Sequence, residues 1–342
     1  MDSAGSALGQ IGEGGPLLLY DADLDTNEIA DEKEWLYPPL EAVVKDGALY
    51  GLGASDCKGG VAAIVYGAAI LKSLGLDPGC SVAVMGATLE EDAEGFALRS
   101  LVERDGLRPD AVLLAEATDL TLRRGHRGRC EARVRVKGKA AHASTPQLGE
   151  NAILKMLPVI EAVEKMNAAL PVDPIFGQGN QVVTLIAGPH TPNSVPGWCE
   201  ISLDRRLVPG ETPASVVESI RSVVEPLGAT VEIPIQAVRA HTGLNLDDQA
   251  FFPGWLLDEN SPLLAAGQAT YQALWKNPAE VSVWKFSTDG TYSAGAAGIP
   301  TLGFGPQEEK YVHTQEDQVN LEKVKKAAMF YALFPFIYAN QK

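Results

Sequence analysis

The run Val82-Ala83-Val84-Met85-Gly86-Ala87 ends in Thr88-Leu89-Glu90-Glu91-Asp92. If the apolar run is a strand, alternation sends Glu90 and Glu91 to opposite sides, so one can bind a cation while its neighbour handles a proton. The ordinary reading of such a pair is a solvated loop, so other residues must decide. Asp21, Asp23 and Asp25 recur at alternate positions after the apolar run 16–20. On a continuing strand they would share one face and repel unless a cation or solvent relieves them; in a turn they would be capping aspartates. Glu116 follows a third apolar run, 111–115. Asp56 stands in a glycine-rich stretch, 47–60, ahead of a helix of small residues. An aspartate there is most often an N-cap, and the loop matches no phosphate-binding pattern. Its glycines imply that backbone passes close to something. His313, taken alone, reads as a surface or packed histidine.

The elements that carry these residues repeat one arrangement. Strands at 16–20, 81–87 and 111–115 each end in carboxylates and are separated by helices near 60–74 and 93–104, the pattern of a mostly parallel α/β sheet. In open α/β sheets, sites lie beyond the carboxyl ends of the strands. The character changes after residue 120, where 123–129 is strongly basic. Strand 129–137, helix 150–168, strands 181–187 and 197–206, helix 212–226 and strand 229–236 follow in the ferredoxin-like order β-α-β-β-α-β. This block, 121–236, reads as an inserted domain, and 1–120 with 237–342 as the domain it interrupts. The latter resumes with a helix at 262–275, a strand at 281–286 leading to Thr288-Asp289, a strand at 300–304 leading to Gly305 and His313, and a final helix at 320–339.

A chain of 342 residues suits two domains. The net charge of −16 argues against nucleic acid and anionic membrane surfaces as partners, since both attract basic patches. Cys57, Cys80, Cys130 and Cys199 are far apart and form no CxxC, as expected of reduced thiols in a cytoplasmic protein. No run of about 18 apolar residues is present, so no transmembrane helix is expected. A dinucleotide-binding enzyme is disfavoured by the lack of G-x-G-x-x-G.

Together these stretches resemble the clan MH metallopeptidases, which include acetylornithine deacetylase, succinyl-diaminopimelate desuccinylase, aminoacylase and the glutamate carboxypeptidases. Gly53-Ala-Ser-Asp56-Cys-Lys-Gly-Gly60 resembles the G-x-x-D-x-K-G-G motif, Glu90-Glu91 the E-E motif, and Gly138-Lys-Ala-Ala-His142-Ala the histidine motif of the lid domain. Ser202-Leu203-Asp204-Arg205-Arg206 resembles D-x-R, and Gly303-Phe304-Gly305-Pro306 with His313 the C-terminal motif. Gly125-His-Arg-Gly128 and Thr288-Asp289 are most similar to a branch described only as peptidases or hydrolases of unassigned substrate.

The resemblance implies a metal-dependent hydrolase with two divalent ions, zinc by preference with manganese or cobalt as alternatives. It acts on an amide or peptide bond beside a free carboxylate, in an N-acyl amino acid or small peptide. Asp56 would bridge the ions, Glu91 and His313 would complete one site, and Asp23 and Glu116 the other. Glu90 would be the general base toward the metal-bridging water, and Asp25 would orient the ligands. His142 would reach across a homodimer, formed through the lid domain, to the oxyanion. Arg206, Asn193, Thr288 and Gly305 would hold the substrate. Two departures stand out. Asp23 occupies the place of a histidine ligand, so the second site is expected to hold only oxygen donors and to favour a harder ion than zinc. The segment before residue 16 is expected to carry no element, where the family has a helix and a strand, and apolar surface is then expected to be exposed. The rival expectation is a degenerate member that binds without catalysing.

Overall fold

Strand β1 (Ala7–Ile11) opens the chain, although its residues lack a clean period-2 pattern. The structure, a computed structural model, describes residues 1–29 and 31–340. Strand β2 (Leu17–Asp23) follows, then helix α1 (Gly59–Leu74), strand β3 (Ser81–Ala87), helix α2 (Phe96–Glu103), strand β4 (Ala111–Leu114) and strand β5 (Leu122–His126). The second unit contains β6 (Gly128–Lys137), α3 (Ala152–Met166), β7 (Asn180–Ala187), β8 (Trp198–Leu207), α4 (Pro213–Val224) and β9 (Ala229–Glu232). The chain then returns through α5 (Pro262–Trp275), β10 (Val281–Trp284), β11 (Thr301–Gly303) and α6 (Leu321–Ala339).

The chain divides into two compact units, Met1–His126 with Arg239–Asn245 and Leu256–Lys342, and Arg127–Val238 with Leu246–Trp255. The bounds differ from those expected. Residues 121–126 belong to the first unit because β5 pairs with β10 and β11. Residues 246–255 belong to the second because Phe251 and Phe252 pair with β6.

In the first unit the strands run in the order β1-β3-β2-β4-β11-β5, with β10 beside β5. β3, β2, β4 and β11 are mutually parallel, while β1 runs antiparallel along β3. β2 is buried nearly throughout, as a strand covered on both faces must be. α1 owes its apolar composition to this cover. A methyl on its Gly67 would lie 2.5 Å from Cβ of Tyr331 in α6, so the two helices approach closely. Phe304, Phe330, Tyr331 and Phe334 carry aromatic packing beneath α6. The presence of β1 corrects the expectation that no element precedes residue 16; Gly9, at its centre, obscured the pattern. An apolar groove of about 380 Å³ lies between β1 and α1, lined by Leu8, Ile11, Val61, Val65 and Val84 among others.

The second unit is an antiparallel sheet in the order β7-β8-β6-β9, the ferredoxin-like topology. Along β6 the buried residues alternate strictly. Cys130, Ala132, Val134 and Val136 share a core with Met156 and Val159 of α3 and with Val216 and Ile220 of α4. Asn151 caps α3, and Thr212 with Ser215 forms a capping box at α4.

Candidate metal centre

The parallel pairing of β3, β2 and β4 brings the ends of three strands to one edge. Asp23 ends β2 opposite Ala87 of β3, Glu90 and Glu91 follow β3, and Glu116 follows β4 two residues after Leu114. Asp56 arrives from the turn before α1. Gly53 opens that turn at φ 79°, a left-handed conformation that suits glycine. The Asp317 carboxylate accepts from Gly53 N at 2.6 Å, Ser55 N at 2.7 Å and Ser55 Oγ at 2.6 Å. At the other end, a methyl on Gly60 would overlap the carbonyl oxygen of Ala115. The loop bearing Asp56 is thus seated directly against the residue that precedes Glu116.

Two groups of donor atoms result, Asp56 with Glu91 and His313, and Asp23 with Cys57 and Glu116; within each group the atoms all lie within 4.8 Å of one another. In the first, Nε2 of His313 is 2.7 Å from Asp56 Oδ2 and 3.3 Å from Glu91 Oε2. Asn27 Nδ2 donates to Glu91 Oε2 at 2.9 Å and lies 2.6 Å from His313 Nε2. Hydrogen bonds to Asp56 and then Glu91 raise the pKa of His313 to about 10. The imidazolium therefore supplies positive charge between two carboxylates. These residues border a cavity of about 240 Å³ that Trp35 and Leu52 also line.

The second group is buried. The Cys57 thiol donates to Asp23 Oδ2 at 3.2 Å, and its sulfur accepts the Asp23 N–H at 3.0 Å. Burial and then the charge of Asp56 push Glu116 up to about 8. Asp23 is raised well above its ordinary range, by burial and then by Glu116. Carboxyls so crowded and so dry retain protons unless a cation relieves them. A divalent ion fits the buried group on that ground, and the donors of both groups are oxygen, nitrogen and sulfur of the kinds that bind such ions.

Glu90 is 8 % exposed and belongs to neither group. Burial raises its pKa well above the usual carboxylate range, with the charge of Glu116 the next cause. Asp25 sets the position of the pair: its Oδ1 accepts from Glu90 N at 3.3 Å and its Oδ2 from Glu91 N at 3.2 Å. Lys58 Nζ in turn donates to the Asp25 carbonyl at 3.3 Å.

The remaining predicted residues are placed differently. Thr288 is fully buried, and its hydroxyl accepts the Gly290 N–H at 3.1 Å. Gly305 donates its N–H to Thr118 Oγ1 at 2.9 Å, and its carbonyl accepts from Thr118 Oγ1 and Leu120 N. The polar groups of these two residues, expected to hold the substrate, are engaged in packing the loops. In the second unit, His142 pairs in register with Ser194, and Ala143 N donates to the Asn193 carbonyl at 2.9 Å. His142 and Asn193 are thereby neighbours, both exposed. Ser144 N donates to His142 Nδ1 at 3.1 Å, which leaves Nε2 as the ring's N–H. Arg206 is held by Asp204 through Nε at 2.8 Å and the terminal nitrogen at 3.2 Å.

Asn27, Cys57 and Asp317 were not singled out from sequence. Cys57 was visible beside Asp56 in the glycine-rich motif, and Asp317 stands four residues after His313. Asn27 lies two residues after Asp25 in a polar stretch with no distinguishing pattern. Asp56, expected to bridge two ions, lies with Glu91 and His313 in one donor group, while Asp23 and Glu116 form the other together with Cys57.

Residues 19–335 match the family model described as peptidase family M20/M25/M40. The chain belongs to this family. Its members are hydrolases that act on carbon–nitrogen bonds, and this chain is one of these hydrolases. An uncharacterized protein, YgeY, of Escherichia coli K12 is 34% identical over 338 residues, covering 98% of this chain and 84% of the relative. Acetylornithine deacetylase of Vibrio parahaemolyticus is 26% identical over 320 residues, 92% of this chain and 79% of that enzyme. Among solved structures, the YXEP protein of Bacillus subtilis, described as a dinuclear metal-binding peptidase, superposes with a TM-score of 0.71 at 16% identity. It covers 98% of this chain and 86% of its own. The shared fold is the two-domain one of M20 peptidases, a mixed α/β sheet flanked by helices with a lid domain.

Proposed function

We propose that this M20 hydrolase cleaves the amide bond of an N-acyl amino acid or small peptide that carries a free carboxylate, with Glu90 as general base. The observation that carries this reading is a buried, uncoordinated glutamate, Glu90, held by Asp25 next to two clusters of metal-donor side chains. The acetylornithine deacetylase relative supports the substrate class.

Asp56, Glu91 and His313 would hold one ion, and Asp23 and Glu116 the other. When bound, such ions polarise the scissile carbonyl and acidify water. Glu90 takes a proton from the attacking water as the oxygen adds to the carbonyl carbon. It returns that proton to the nitrogen as the C–N bond breaks, which leaves a carboxylic acid and an amine that ionise to a carboxylate and an ammonium. Asp25 keeps Glu90 and Glu91 at fixed depth by holding their backbone. His142 is the oxyanion donor of this reading, contributed by the second copy of a homodimer, and Arg206 with Asn193 receives the substrate carboxylate. Exposed Val182, Leu185 and Ile186 on edge strand β7, with Ile153, Leu154 and Leu157 on α3, supply the apolar surface for such a dimer. The four free cysteines fit a reducing compartment, which we take to be the cytoplasm.

The test is a panel of N-acetyl and N-succinyl amino acids and simple dipeptides, assayed after reloading with Zn²⁺, Mn²⁺ or Co²⁺. Hydrolysis of at least one substrate that stops on chelation supports the proposal. No hydrolysis with any ion overturns it.

A further inference from the structure

We infer that Cys57 supplies a thiolate donor to the ion held by Asp23 and Glu116, which makes the buried position a mixed oxygen–sulfur site selective for zinc-like ions. The inference rests on the metal-dependent reading above and changes the chemistry of one of its two sites.

Three observations meet at this sulfur. Its Sγ lies with a carboxylate oxygen of Asp23 and one of Glu116 in a single three-donor group. Around a tetrahedral ion with the usual Zn–S and Zn–O lengths, sulfur and oxygen would sit about 3.6 Å apart. Sγ and Asp23 Oδ2 are 3.2 Å apart, so a separation larger by a few tenths of an ångström admits the ion. The Asp23 N–H points at the sulfur at 3.0 Å, which holds the sulfur beside the two carboxylates. Finally, the backbone of Cys57 is fixed. Gln307 is fully buried, and its Nε2 donates to the Cys57 carbonyl at 3.3 Å and to the Ala115 carbonyl at 3.1 Å. One amide thus fixes Cys57 and the residue preceding Glu116 together.

The consequence reverses the preference expected from oxygen ligands alone. Carboxylates suit Mn²⁺, Mg²⁺ and Ca²⁺, whereas a thiolate selects Zn²⁺ and ions like it. A thiolate donor there would require the S–H bond that Cys57 now directs at Asp23 Oδ2 to break, its proton passing to solvent as the ion enters.

The experiment strips the protein with a chelator, loads it with Co²⁺ or Zn²⁺, and reads metal stoichiometry and spectra with no substrate present. Two ions per chain are expected, with a thiolate-to-cobalt charge-transfer band in the near ultraviolet. X-ray absorption of the zinc form should show a sulfur neighbour at about 2.3 Å. Cys57→Ser should lose the band and weaken one ion by at least the ~10–100-fold that outer-shell partners are worth; Cys57→Ala should do the same. Two bound ions with no band and no sulfur neighbour would overturn the thiolate donor and leave the hydrolase reading standing. A band that survives both variants would overturn it as well. A protein that binds no ion would overturn both.

Discussion

Glu116, Asp23, Glu90 and His313 are all shifted in the sense that favours the proton-bound form in the folded chain, and this fixes how the metal-free protein responds to pH. Glu116 is raised to about 8 from an ordinary 4.5. A group raised on folding stabilises below its unfolded pKa, and that contribution is lost as pH rises through the folded value. Asp23 and Glu90 shift the same way. His313, raised to about 10 from 6.5, adds a loss of the same sign at higher pH. The metal-free protein is therefore expected to lose thermal stability steadily from about pH 5 to about pH 9. The rise in Tm on adding zinc should grow over that range. Differential scanning calorimetry at several pH values with and without chelator measures this, and a metal-free Tm that climbs with pH would contradict it. At this scale the sequence was informative about carboxylates that end strands, since Asp23, Glu91 and Glu116 each follow an apolar run. It placed Cys57 beside Asp56 but gave that cysteine no role, because a single cysteine carries no spacing signal, and it could not show the contact of Gly305 with Thr118, 187 residues away.

At the scale of elements, the site depends on a loop gripped at both ends. Asp317 holds the start of the turn that carries Asp56, and Gly60 lets the first turn of α1 lie on the Ala115 carbonyl. Gly60→Ala would force that carbonyl and the following Glu116 apart from the loop. Such overpacking costs about 1–3 kcal/mol, and denaturant unfolding should show it together with weaker uptake of the ion at Glu116. Unchanged stability and unchanged metal uptake would show that the contact is not a constraint. The helices and the strands of the main sheet were legible because their apolar runs and alternation are long. Strand β1 was not, since five residues centred on a glycine have no period to read. Strand β5 was missed because its pairing partners, β10 and β11, lie more than 150 residues later in the chain.

At the scale of the molecule, the β-α-β-β-α-β order was readable directly, while the unit bounds were not. Residues 246–255 join the second unit through a pairing of Phe251 with Cys130 that no local pattern announces. The second unit exposes Leu185 at 67 % and Ile186 at 60 % on an edge strand, a surface that invites pairing with another chain. Light scattering is expected to report a dimer, and Leu185→Lys with Ile186→Lys a monomer of reduced turnover. A wild-type monomer with full activity would remove the second copy from the mechanism. The proposed mechanism turns on Glu90 moving the proton beside two bound ions. The most direct measurement compares Glu90→Gln with the wild type after both have been loaded with zinc and their metal content determined. Two ions per chain in each, with turnover lower by about 10²–10⁴-fold in the variant, is the predicted result. Turnover within a few-fold of wild type in a fully loaded Glu90→Gln protein would contradict it.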